Sequence, residues 1–258
     1  MRKSFIITGL LSAIASTSLL HAAIIDPICS FDSFTGIDQT STNGIYHFNV
    51  GNRNNAPEFR NGKAIFDGSD ILNITTASNP GTTDIAKAFG ATGTTITMTI
   101  SGLQLGNSAP HALFTTNASG WGLGLKNDGN TNKIAGIWGN AIWNNSNNTG
   151  TDIPSGSFVL TATSLGAKTS IYINGTLAKE IDGLGSSTEA GFKYLAIGDV
   201  MSGGPQKGAA FELENFYIHN QALNASQVAN FVASIPEPAT ASLSLLGLSG
   251  LLLRRRKS

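Results

Sequence analysis

The sequence predicts an all-β fold, an antiparallel jelly-roll sandwich, and three observations predict it. Short segments alternate apolar and polar residues with period two, Gly, Asn and Thr cluster between them, and long stretches of helical periodicity are few. No change of composition divides the interior of the 258-residue chain, so a single domain over 24–234 is expected between two special ends.

In chain order, Thr95–Ile100 alternates strictly and places Ile96, Met98 and Ile100 on one strand face. Trp121–Leu125 does the same with glycine between its bulky residues, which assigns Trp121 to the core. Further strands are expected at Ala112–Thr116, Lys133–Trp138, Ser157–Thr163, Thr169–Ile173, Tyr194–Ile197 and Ala210–Ile218. Asn174-Gly175, between Ile171-Tyr172-Ile173 and Thr176-Leu177-Ala178, is the signal for a two-residue type I′ hairpin. One short helix is expected after Asn224 as N-cap, with Val228, Phe231 and Val232 as its apolar stripe.

Both ends read as address labels. Residues 1–23 place Arg2 and Lys3 before an apolar stretch and end on Ala22-Ala23, the layout of a secretory signal peptide handled by the secretion machinery. Cys29 lacks a lipoprotein-type context, and a lone cysteine makes no internal disulfide, so it is expected to be a small buried hydrophobe. At the other end, 235–258, Pro236-Glu237-Pro238 stops any helix. The apolar run 239–253 comes next, about 22 Å long as a helix and short of the ~30 Å hydrocarbon core. Arg254, Arg255, Arg256 and Lys257 would hold the cytoplasmic side of such a transmembrane helix.

The three-part tail resembles the PEP-CTERM sorting signal of Gram-negative bacteria. The resemblance implies an exosortase as transient partner, which recognises the Pro-Glu-Pro tripeptide and removes the helix and basic cluster. The product would then reach the cell surface, the outer envelope or an extracellular matrix. The interior resembles the LamG-like, concanavalin A-like jelly-roll superfamily. "FRNGKAIFDGSDILNIT" is similar to its early strand pair around an Asn-Gly turn, "TSIYINGTLAKEI" to its hairpin, and "FELENFYIHNQALNASQVANF" to its closing strand, turn and helix. These motifs are signatures of fold and leave function open.

Charge excludes one class of partner. With the terminal residues set aside, ten bases face fifteen acids and no basic run remains, so nucleic-acid binding is not expected. Catalytic patterns are thin. Glu212 and Glu214 share a strand face, but Phe216 stands where a third acid would complete a glucanase-like Glu-x-Asp-x-Glu. The histidines His47, His111 and His219 accompany no Gly-x-Ser-x-Gly or zinc-ligand spacing, and no catalytic residue is assigned. Calcium is harder to exclude than zinc because its ligands are dispersed oxygens, and the superfamily resemblance permits a calcium site. Asp128-Gly-Asn130-Thr-Asn132 begins like an EF-hand loop, but Lys133 stands at its glycine position and Gly139 at its bidentate acid, so a polar turn is expected there. No calcium site is located by the sequence.

The segment "IWGNAIWNNSNNTG" carries the binding expectation. Aromatic faces beside amides suit sugar rings, with their apolar C–H face and polar rim, so Trp138, Asn140, Trp143, Asn144 and Asn145 form the candidate glycan site. A non-enzymatic carbohydrate-binding or adhesive protein is the first expectation. A display protein without a dedicated ligand and a glycoside hydrolase remain the alternatives.

Overall fold

The computed structural model describes residues 24–37, 39–49, 55–76, 92–104, 111–116, 121–127, 132–138, 148–166, 168–182, 195–198 and 209–236. They form fifteen strands and one helix: β1 Cys29–Phe31, β2 Tyr46–Asn49, β3 Glu58–Arg60, β4 Lys63–Asp67, β5 Leu72–Thr76, β6 Thr94–Ser101, β7 His111–Thr116, β8 Trp121–Asn127, β9 Asn132–Trp138, β10 Asn148–Asp152, β11 Phe158–Leu165, β12 Lys168–Ile173, β13 Thr176–Asp182, β14 Leu195–Ile197, β15 Ala210–His219 and α1 Ala225–Ser234. Two antiparallel sheets result. The first runs β13-β12-β11-β6-β15-β4-β3 with β1 also on β15, and the second β10-β9-β8-β7-β14-β5-β2.

Alternation explains which side chains meet between the sheets. Ile96, Met98 and Ile100 of β6 face Leu160 and Ala162 of β11, Ile171 of β12, and Leu113, Trp121, Leu123 and Ile134 from the second sheet, in one buried core. Cys29 lies in it as a buried free thiol, and burial pushes its pKa far up, so it stays unionised. The other face of β6 is buried as well, although alternation alone would leave it wet. Thr97 and Thr161 share a hydrogen bond at 3.1 Å there, and Thr95 Oγ1 donates to the Gln221 carbonyl while accepting from Leu223 N. Helix α1 covers this face, with Phe231 edge-on to Tyr217 and His219.

Local chemistry agrees with the sequence at the turns and the cap. Asn174 and Gly175 have φ of 49° and 78°, the left-handed pair a type I′ turn needs, and Asn61-Gly62 between β3 and β4 repeats it at 54° and 77°. Asn174 Oδ1 also accepts from Val159 N at 2.8 Å, fixing the hairpin against β11. Asn224 caps α1 in a full capping box with Gln227. Val228 and Phe231 are buried, whereas Val232 is only partly so.

Among the described residues no helix is long and apolar enough to cross a membrane. Segment 1–23, expected as a signal peptide, and the tail from Glu237 onward, including Pro238 and Arg254 to Arg256, lie outside them. Pro236 is the last described residue, exposed immediately after the C-cap Ile235.

Candidate ligand-binding rim

The pairing registers of the second sheet bring several connections to one of its ends. Tyr46 at the start of β2 pairs with Thr76 at the end of β5, Ile74 with Leu195 at the start of β14, and Leu195 with Thr116 at the end of β7. Thr115 pairs with Gly122 beside the start of β8, and Trp121 with Trp138 at the end of β9. Segments 77–91, 117–120, 139–147 and 183–194 therefore begin or end on this rim. Their composition is dominated by Asn, Ser, Thr and Gly, the small polar residues of turns and of hydrogen-bonding surfaces.

A rigid base supports the rim. Trp121 is wholly buried, and a buried indole N–H needs an acceptor. It has one across the sandwich: Nε1 donates to Thr169 Oγ1 of β12 at 3.0 Å, while Phe114 packs on the ring at 5.3 Å and 65°. This bond joins the two sheets at the end of β8 that pairs with Trp138, the last residue before segment 139–147. Sequence alternation placed Trp121 in the core, but its partner on another sheet carried no local signal.

Of the five candidate glycan residues, only Trp138 falls on a described element. It ends β9 opposite Trp121, on the same strand parity as Ile134, and both Trp121 and Ile134 belong to the core. Segment 139–147 begins immediately after it. Asn140, Trp143, Asn144 and Asn145 lie outside the described residues.

The segment that begins like a calcium loop is at the opposite end of the second sheet. Asn127 pairs with Asn132, so 128–131 is a short hairpin connection, and Asn132–Trp138 is strand. A twelve-residue EF-hand loop starting at Asp128 would need those same residues as loop, and the strand removes that reading. A second pair of acids lies in the turn after β4. Asp67 Oδ1 accepts from Ser69 N and Oγ, both at 2.7 Å, and Asp70 Oδ2 accepts from Asp67 N at 2.8 Å. The Ser69 hydrogen bonds hold Asp67 below the usual carboxylate range, and burial raises Asp70. This is a self-satisfied turn. Among the described residues, no group of three or more His, Cys, Asp or Glu side chains is arranged to hold a metal ion.

The carboxylates Glu212 and Glu214 do share a face, and they share a counter-ion. Lys63 Nζ lies 2.8 Å from Glu212 Oε2 and 2.8 Å from Glu214 Oε1, and Ser101 Oγ lies 3.1 Å and 2.8 Å from the same two oxygens. The Lys63 hydrogen bond, opposed by burial and aided by Ser101, holds Glu212 below the usual range. Burial pulls Lys63 down, but its bonds to Glu212 and Glu214 outweigh that and raise it. A glycosidase acid needs the reverse, a carboxyl kept protonated near neutrality. The cluster is on the outer side of β4, β6 and β15 and fastens three strands. Lys63 and Ser101 were missed in sequence because they stand 149 and 111 residues from Glu212.

A family model of the concanavalin A-like lectin/glucanases superfamily, of the laminin G type, matches residues 74–229, more than half of the chain. The chain belongs to this superfamily. In the present concanavalin A-like domain the strands β1 to β4, which precede the matched region, complete both sheets. Among solved structures it is similar to a Trypanosoma rangeli sialidase in complex with 2,3-difluorosialic acid, at TM-score 0.62 and 18% identity over 84% of this chain and 35% of that one. It is also similar to the binding domain of botulinum neurotoxin DC in complex with rat synaptotagmin II, at TM-score 0.52 and 18% identity over 82% and 52%. The chain thus spans about a third to a half of the length of these relatives, and at this identity they share its fold alone. No curated protein sequence matches the chain.

Proposed function

We propose that this domain is an exported, non-enzymatic carbohydrate-binding or adhesive module whose ligand is taken at the rim carrying 139–147. The register that brings four polar segments to one end of the second sheet, above the Trp121–Thr169 tie, carries the reading. Trp143 supplies the stacking face and Asn140, Asn144 and Asn145 the amides, while Trp138 anchors the segment's base. The sialic acid derivative bound to the sialidase relative supports a carbohydrate ligand by analogy alone.

The reading predicts that residues 24–236 bind a defined set of glycans, and that Trp143→Ala weakens binding by about 30-fold, the loss of about 2 kcal/mol common for a buried aromatic contact. Its thermal midpoint should equal the parent's, whereas Trp138→Ala should lower the midpoint. Undiminished binding in Trp143→Ala would remove the segment from the site.

The terminal segments complete the proposal. A signal peptide delivers the chain to the secretion machinery, and an exosortase cuts at Pro236-Glu237-Pro238 after the tail has paused in the inner membrane. The three-part sequence and the exposed exit of the chain at Pro236 support this. Mass spectrometry of the protein from its native host should find a C-terminus close to the tripeptide. An intact Ser258 would favour a plain C-terminal anchor.

A further inference from the structure

Among the described residues, a smaller hydrophobic cluster stands apart from the main core. Outside the main core, Tyr172, Leu223 and Val228 form a satellite on the outer face of the first sheet, with Ile25 and Val232 packed against it. This is where segment 24–27 and α1 meet. Groups that bury their apolar surface apart from the main core can open without it.

His219, the last residue of β15, touches both partners. It is fully buried; its Nε2 is 3.0 Å from the Ile25 carbonyl, and its ring meets Phe231 of α1 at 4.5 Å and 89°. A carbonyl only accepts, so Nε2 carries the hydrogen and the neutral ring leaves Nδ1 as a bare lone pair. Nδ1 has no hydrogen-bond partner among the described residues. Protonation would put a donor and a charge there with nothing to receive them.

The surroundings offer little relief. Helix α1 carries no acidic or basic residue, and Tyr217 already donates to Asp32 Oδ1. Thr95, across β6, has its hydroxyl engaged with Gln221 and Leu223, and Cys29 is an unionised buried thiol. Asp26 alone favours the charged ring through its field. Burial outweighs that field and the Ile25 contact, taking the His219 pKa down to about 4.

We propose that His219 is an acid-sensitive latch: when it takes up a proton, segment 24–27 and α1 come off the first sheet together, while Ile28, which packs on the main core and bonds to Ile218, stays with both sheets. Once free, the ten-residue α1 is shorter than the ~12–15 residues an isolated helix needs, so it melts and lengthens the connection before Pro236. Linkage sets the sign. A folded pKa below the ordinary 6.5 means the docked state is favoured above that value and loses ground as pH falls toward 4.

Amide hydrogen exchange on the whole chain in detergent micelles, corrected for intrinsic rates, tests this at about pH 7 and about pH 4.5. Amides of 227–235 should lose protection by roughly 10- to 100-fold on acidification, with Ile28, β6 and β11 unchanged and the response absent in His219→Phe. Unaltered protection, loss spread equally over all strands, or the same response in His219→Phe would overturn the latch. Should the variant fail to fold, an NMR titration of His219 in the parent decides: a midpoint near 4 supports the latch, and one near 6.5 overturns it.

Discussion

Trp121→Ala is expected to destabilise the domain by about 3–5 kcal/mol, the cost of deleting a fully buried aromatic side chain. Two losses combine. The cavity opens beside Phe114 between the sheets, and Thr169 Oγ1 loses the donor that reached it from the second sheet. Trp121→Phe separates them, because it keeps most of the volume and removes only the N–H. It should cost about 1–3 kcal/mol, within the range for a buried group left unsatisfied. Urea unfolding with an unchanged m-value measures both. A cost below about 1 kcal/mol for Trp121→Ala would mean that the rim does not stand on this residue.

Lys63→Met is the second large effect. It leaves Glu212 and Glu214 facing each other with one Ser101 hydroxyl, whose single hydrogen serves one carboxylate at a time. Breaking a fully buried pair costs about 3–5 kcal/mol; here Lys63 and Glu212 side chains are 30% and 34% exposed, so screening reduces the expected loss to about 1–3 kcal/mol. The pH dependence has a definite sign. Glu212 is held below its ordinary 4.5, so its pairing stabilises the fold above that value and fades as pH falls through the lower folded one. The gap between parent and Lys63→Met should therefore narrow below about pH 4.5. A gap constant with pH, or none at neutrality, would contradict the shared counter-ion.

Much of the fold was legible because its signals are local. Asn174-Gly175 dictates its own turn, Asn224 and Gln227 cap α1 across three residues, and β6 announces itself by strict alternation. β10, Asn148–Asp152, was not legible. It is a polar edge strand paired on one side with a register shift, so neither alternation nor burial marks it. Long-range partners were invisible for a related reason. β15 meets β6, β4 and β1, strands distant along the chain, and the Lys63 cluster and the His219–Ile25 contact exist only after that pairing. For the candidate site, residue type pointed to Trp138 and Trp143 alike. The register places Trp138 at the end of β9 opposite Trp121, and Trp143 lies outside the described residues.

A glycan array probed with residues 24–236, with and without a calcium chelator and with Trp143→Ala alongside, decides whether this domain binds carbohydrate at the rim. Selective binding to a defined set of glycans that Trp143→Ala loses is the predicted result, and its response to the chelator shows whether calcium takes part. A folded domain that binds no glycan on the array would contradict the carbohydrate-binding reading and leave surface display as the function.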